Sequence, residues 1–179
     1  DYSGSNKSAI LDYVTIASAG NAIDFGDPHF NSFSKTSCSS STRGVSAGGW
    51  TSPSEVNVNT IEYVEISTLG NAKDFGDLAT TTRGMGATGS PTRGVFAGGR
   101  QTNNTVDISF VTISSTGDAA RFGDLTTARR MDGGGQVSNS VRGLFWNSGS
   151  GSGPAIDYVT IASEGNAVFF ADGREQTND

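Results

Sequence analysis

Few residues in this chain have side chains that could do chemistry, and most of those recur. Asp24-Phe25-Gly26-Asp27 and Asp74-Phe75-Gly76-Asp77 set two carboxylates around an aromatic residue and a glycine. Arg121-Phe122-Gly123-Asp124 and Phe169-Phe170-Ala171-Asp172 vary the same segment. Carboxylates so placed could serve a divalent cation, which needs several oxygens converging on one point. Arg43, Arg93 and Arg142 recur beside glycines and could form a ring of cations for an anionic sugar or phosphate. His29 is the single histidine and Cys38 the single cysteine. A nucleophile–histidine–acid triad would have to use His29, in the linker Asp27-Pro28-His29-Phe30, and a packing or surface role is expected instead. Cys38 sits in a Ser/Thr run with no histidine close in sequence; it cannot form a disulfide within the chain and is expected to be an idle, buried thiol.

Repetition argues for scaffold over catalysis. Asp-Phe-Gly is also the metal-binding tripeptide of protein kinases, but no Gly-rich phosphate loop or catalytic-loop motif accompanies it here. The repeated Asp27, Asp77, Asp124 and Asp172 are therefore expected to serve turns by bonding nearby backbone N–H groups. The repeated arginines are expected to pair with these aspartates between units. No metal site, cofactor or catalytic residue is expected. Candidate ligand-binding residues lie where the repeat fails. Trp50, Arg100 and Trp146 stand in or beside the variable stretches 49–59, 99–106 and 147–155. Aromatic residues there could stack on sugar rings or anchor a partner.

The elements that position these residues are legible from a fourfold repeat. Leu11-Asp12-Tyr13-Val14-Thr15-Ile16 returns at Ile61, Ile108 and Ile156, in steps of 50, 47 and 48 residues. Each copy is followed by Gly-Asn-Ala or Gly-Asp-Ala and then by the Phe-containing segment. The hexapeptide alternates with period two, which is a strand signal, and carries apolar side chains on both faces, as a strand does between two neighbouring sheets. Thr42-Arg43-Gly44-Val45-Ser46-Ala47-Gly48-Gly49 matches Thr92-Arg93-Gly94-Val95-Phe96-Ala97-Gly98-Gly99, with a degenerate copy at 141–148, where Trp146-Asn147-Ser148 replaces Ala-Gly-Gly. Small-residue stretches at 36–41, 84–89 and 133–138 precede these. Each unit thus holds four short strands, with the small-residue strand expected where units crowd together. Four strands per 45–50 residues make a β-propeller blade.

These residues resemble the kelch repeat. Gly48-Gly49 and Gly98-Gly99 match its glycine pair, Tyr63 and Phe110 its first aromatic, Phe75 and Phe122 its second, and Arg83 and Arg129 its arginine. The resemblance implies an all-β fold of four-stranded antiparallel blades. The strand count gives about three and a half blades within 1–179, an incomplete ring or part of a larger or oligomeric propeller. The expected divisions are a half blade at 1–33 and blades at 34–82, 83–130 and 131–179. Galactose oxidases of that fold use a copper site with two His and two Tyr, which one histidine cannot supply. Arg-Gly-Val-Phe-Ala-Gly-Gly, Ile-Asp-Tyr-Val-Thr-Ile and Asp-Phe-Gly-Asp-Leu together also look like repeats in predicted structural proteins of aquatic tailed phages, cyanophages among them. That resemblance implies a virion or extracellular setting.

Bulk composition bounds the rest. The 179 residues carry net charge −6, which argues against a nucleic-acid footprint and against attraction to anionic membranes. No apolar run approaches the ~18 residues of a membrane span. The chain starts without Met and almost inside a repeat, as a fragment or processed product would. The leading expectation is a non-enzymatic phage tail or fibre module, structural or for host attachment. Its partners would be other copies of the chain or further blades, and a host-surface glycan or protein. The alternative is a carbohydrate- or protein-binding propeller of a secreted or cell-surface bacterial protein.

Overall fold

A computed structural model describes residues 10–51, 54, 56–131, 136–146 and 154–173. The described residues form only β-strands, turns and bends, and the strands build four antiparallel sheets. The first sheet pairs β1 (Leu11–Tyr13) with β2 (Ile23–Gly26). The second is a meander of β3 (Thr36–Ser39), β4 (Arg43–Ala47), β5 (Thr60–Glu65) and β6 (Lys73–Asp77). The third repeats it with β7 (Gly86–Gly89), β8 (Arg93–Ala97), β9 (Asp107–Thr112) and β10 (Ala120–Asp124). The fourth uses β11 (Val137–Ser138), β12 (Arg142–Phe145), β13 (Ala155–Thr160) and β14 (Val168–Asp172). The all-β class and the two-then-four strand pattern follow the sequence reading. Most of the stretch 147–155 and part of 133–138 lie outside the described residues.

The third sheet buries both faces because the hexapeptide is apolar on both. Val45, Ala47, Ile61 and Phe75 of the second sheet pack against Phe96, Val111 and Ile113 of the third. Val95, Ala97, Ile108 and Phe122 of the third pack against Phe145, Val159, Ile161 and Ala167 of the fourth. The period of two thus sends alternate residues of one strand into two different cores.

The Phe-Gly dipeptide has a purpose that the sequence hides. In every sheet the pairing of the last two strands slips by one residue at the phenylalanine: Glu62 faces Asp74 but Ile61 faces Gly76, leaving Phe75 as the extra residue of a β-bulge. Phe25, Phe122 and Phe170 stand at the same slip. A bulge re-aims a side chain. Here it sets each phenylalanine edge-on to the aromatic of the preceding strand, with ring centroids 6.0, 5.8, 5.9 and 6.1 Å apart.

One junction joins each sheet to the next. The turn glycine N–H of the following sheet donates to the carbonyl of the bulged phenylalanine: Gly70 to Phe25 (2.8 Å), Gly117 to Phe75 (2.7 Å) and Gly165 to Phe122 (2.9 Å). The alanine two residues on donates to the terminal aspartate's carbonyl, with Ala72 to Asp27, Ala119 to Asp77 and Ala167 to Asp124 all at 2.8 Å. In return the N–H of Asp27, Asp77 and Asp124 donates to Oδ1 of Asn71 (3.0 Å), Asp118 (2.9 Å) and Asn166 (3.1 Å). The expectation that these aspartate side chains hold the turn is corrected here: their main chains make the junction, and the Asx residue of the next hairpin caps it. The bulge glycine is needed because the two backbones touch. A Cβ on Gly26, Gly76 or Gly123 would lie 2.5, 2.4 or 2.2 Å from the backbone of the opposing turn glycine.

The small-residue strands are where the sheets approach most closely, as expected. β3 lies against β7 and β8, and β7 against β11 and β12. Cys38 of β3 fills the space above Gly94, and Thr88 of β7 the space above Gly143.

Candidate functional site

The arginines of the Arg-Gly dipeptides belong to the scaffold, but by a different pairing from the expected one. Arg43 Nη1 donates to the carbonyl of Ile113 at 3.1 Å, and Arg93 Nη1 to that of Ile161 at 3.1 Å, each reaching into the next sheet. Their guanidinium groups lie 4.5 Å above Tyr63 and 4.1 Å above Phe110, and Arg142 lies 4.8 Å above Tyr158. Arg43 also pairs with Glu65 of its own sheet at 2.8 Å and Arg93 with Glu164 of the next at 3.8 Å, so the carboxylates they meet are glutamates and not the repeated aspartates. The kelch-type match of Arg83 with Arg129 is also shifted. The N–H of Gly49 donates to Thr82 O and that of Gly99 to Arg129 O, so Arg129 takes the place of Thr82.

Two buried carboxylates escaped the sequence reading. Asp157 is fully buried; it accepts from the Thr126 N–H (3.0 Å) and hydroxyl (2.7 Å) and is paired with the equally buried Arg129. Glu62, at the same place in the second sheet, accepts from the Phe30 N–H at 3.0 Å and pairs with Lys35. Their donors are local linkers, so both acids tie the incoming linker to its sheet. Among the described residues no group of three or more His, Cys, Asp or Glu is placed to hold a metal ion.

Cys38 behaves as a packing residue. Its Sγ lies where a Cβ on Gly94 would come within 2.5 Å of it, and burial pushes its thiol up to about 12. A thiol raised in the folded state favours folding fully below its ordinary range, and that contribution fades as pH rises toward 12. The folded protein is expected to resist iodoacetamide at pH 8 and to react promptly once denatured in urea. Equal labelling rates in the two states, read by mass spectrometry, would contradict this placement.

The variable end holds a different arrangement. After Gly49 the chain passes directly into Trp50, whose N–H and carbonyl pair with those of Phe33, both at 2.8 Å. Arg100, after Gly99, pairs in the same way with Arg83, at 2.8 and 3.1 Å. The Trp50 ring is edge-on to Phe33, with centroids 6.3 Å apart, and carries the Arg83 guanidinium 5.1 Å from its centroid. The Asn57 amide donates to the carbonyls of Arg100 (2.9 Å) and Gln101 (3.2 Å), and the Gln101 amide donates to Thr80 Oγ1 and Asp107 Oδ2. Asn57, Thr80, Arg83, Arg100 and Gln101 line an open, polar cleft of about 550 Å³.

Of the three residues picked from sequence, the structure thus brings Trp50 and Arg100 into one neighbourhood. Trp146 stands apart on the fourth sheet, where its carbonyl accepts from the Gln136 amide at 3.2 Å. It replaces Ala47 and Ala97 in the repeat and has no counterpart at the cleft. Neither Arg83 nor Arg100 is in an ion pair among the described residues, and Arg83 Nε is buried without a hydrogen-bond partner. Arg83 and Arg100 thus place two cations on this cleft with no ion pair among the described residues. Arg83, Asn57 and Gln101 were not singled out from sequence as site residues; the loss of repeat periodicity after each Gly-Gly pair was the signal that pointed here.

No family model matches the chain, and a search of the curated proteins finds no match.

Proposed function

We propose that this chain is a non-catalytic module of a phage virion, built of kelch-like β-propeller blades, that presents the Arg83–Arg100 cleft, with Trp50 beside Arg83, to an acidic glycan on a host surface. The observation that carries the reading is the contrast between two sets of arginines. Arg43 and Arg93 are spent on holding sheets together, whereas Arg83 and Arg100 are held by backbone pairing and meet no carboxylate among the described residues. Three successive meanders docked through one junction support the blade assignment, since stacked repeats of this size bury a continuous core and leave loops for binding. The cleft chemistry suits a carboxylated sugar, with guanidinium groups on the acid and the exposed part of Trp50 against the ring.

An array of acidic and neutral oligosaccharides tests the binding. Arg83→Ala and Arg100→Ala should each weaken a detected acidic ligand roughly tenfold or more, the loss of a charge-assisted hydrogen bond. Arg142→Ala, on the far sheet, should leave it unchanged. Preference for neutral glycans, or equal loss in all three variants, would remove the cleft from the proposal. Antibody labelling of purified phage particles tests the setting separately; a chain absent from particles does not belong to a virion.

A further inference from the structure

The two ends of the sheet series are not equivalent, and one alanine makes the difference. At the first sheet the junction turn Gly20-Asn21-Ala22 is exposed, and nothing among the described residues docks on it. The side chain beside it is exposed as well: Ile16 is 99% exposed, whereas its counterpart Ile66, against the two-stranded first sheet, is 46% exposed, and Ile113 and Ile161, against four-stranded sheets, are 1% exposed. By the pattern of the three internal junctions this turn offers two N–H donors and one Asx oxygen. The fourth sheet presents the complementary set, the carbonyls of Phe170 and Asp172 and the Asp172 N–H. Phe170 is 51% exposed where Phe75 and Phe122 are 3% and 4%.

Hydrogen-bond polarity alone would therefore let a second copy add head to tail. The packing forbids it. Ala171 stands where Gly26, Gly76 and Gly123 stand. A Cβ at those glycines falls 2.2–2.5 Å from the opposing turn backbone, and backbone cannot swing aside as a flexible side chain can. The Ala171 methyl occupies that space.

We infer that the exposed turn Gly20–Ala22 and Ile16 form a docking surface for a sheet whose outer strand reads Phe-Gly-Asp, and that Ala171 excludes the chain's own fourth sheet from that surface. The partner is a repeat of the same type bearing glycine at the bulge, the occupant that this face takes at each of the three internal junctions. The inference rests on those junctions and is independent of the glycan cleft.

The test supplies the missing glycine. Ala171→Gly, with its fold checked by circular dichroism, should self-associate about tenfold or more tightly than the parent chain in sedimentation equilibrium. Adding Ile16→Asp to Ala171→Gly should return the parent behaviour, since Ile16 is free of packing in the isolated chain. A second variant makes the same point inside the molecule. Gly123→Ala should speed hydrogen exchange at the Gly165 and Ala167 amides about tenfold or more, by prising open one junction. Parent-like association of Ala171→Gly would overturn the docking surface, as would association insensitive to Ile16→Asp. Unchanged exchange in Gly123→Ala, or a parent chain that already associates as tightly as the glycine variant, would overturn the role of Ala171.

Discussion

Replacing Asp157 with alanine is expected to cost about 3–5 kcal/mol of folding stability, because it leaves a buried guanidinium without its counter-charge. Arg129 and Asp157 are both fully buried, and Arg129 also donates to the carbonyl of Ala155. A domain of this size has about 5–15 kcal/mol in total, so the loss is a large fraction. The pair fastens the linker after β10 onto β13, so the fourth sheet should loosen first. In urea, fluorescence from Trp146 on that sheet should change at lower denaturant than fluorescence from Trp50, each followed with the other tryptophan replaced by phenylalanine. Exchanging both partners for apolar residues of similar volume, Arg129→Met with Asp157→Leu, should recover much of the loss, because no charge is then stranded. Coincident transitions for the two tryptophans in Asp157→Ala would argue against local anchoring.

Gly98→Val is expected to be comparably damaging, for a reason held in the backbone. Gly98 has φ +63°, and a Cβ there would sit 2.6 Å from Arg129 O. Gly48 repeats both features, with φ +64° and a Cβ 2.3 Å from Thr82 O. The left-handed conformation and the overpacking each cost a β-branched residue about 1–3 kcal/mol. Gly20→Ala is the matched control: a Cβ at Gly20 meets nothing within 4 Å, and its effect should stay within about 0.5 kcal/mol. Urea midpoints for the two variants check this, and a Gly98→Val protein as stable as Gly20→Ala would contradict the close approach of Gly98 to the linker.

The repeat made the strands legible because burial on both faces imposes apolar residues at every position of Ile-Asp-Tyr-Val-Thr-Ile except the second and fifth. Sequence alone could not assign the polar residues of the repeat, since the same spacing suits ion pairing, turn capping and stacking. Arg43 was expected to meet an aspartate and instead meets Glu65, Tyr63 and the carbonyl of Ile113. Asp77 was expected to act through its side chain and acts through its peptide group. The bulge at Phe75 was invisible because a one-residue slip in pairing leaves no mark on composition. Near the cleft, Trp50 and Arg100 stand out in the sequence because they interrupt the pattern. Arg83 was absorbed into the pattern as the counterpart of Arg129, and only the hydrogen bonds of Gly49 and Gly99 separate the two. Trp146 interrupts the pattern equally and yet lies elsewhere, since it replaces a core alanine and the cleft is built from residues that follow the glycine pair.

The junction between sheets has a genetic consequence. It is made of main-chain groups, one bulge glycine and one Asx residue, so a duplicated unit arrives with its docking turn and its docking strand already in place. Unequal recombination within the gene can then add or delete whole units without a compensating change in any other unit. A single codon at position 171 decides whether such an extension can continue from the fourth unit.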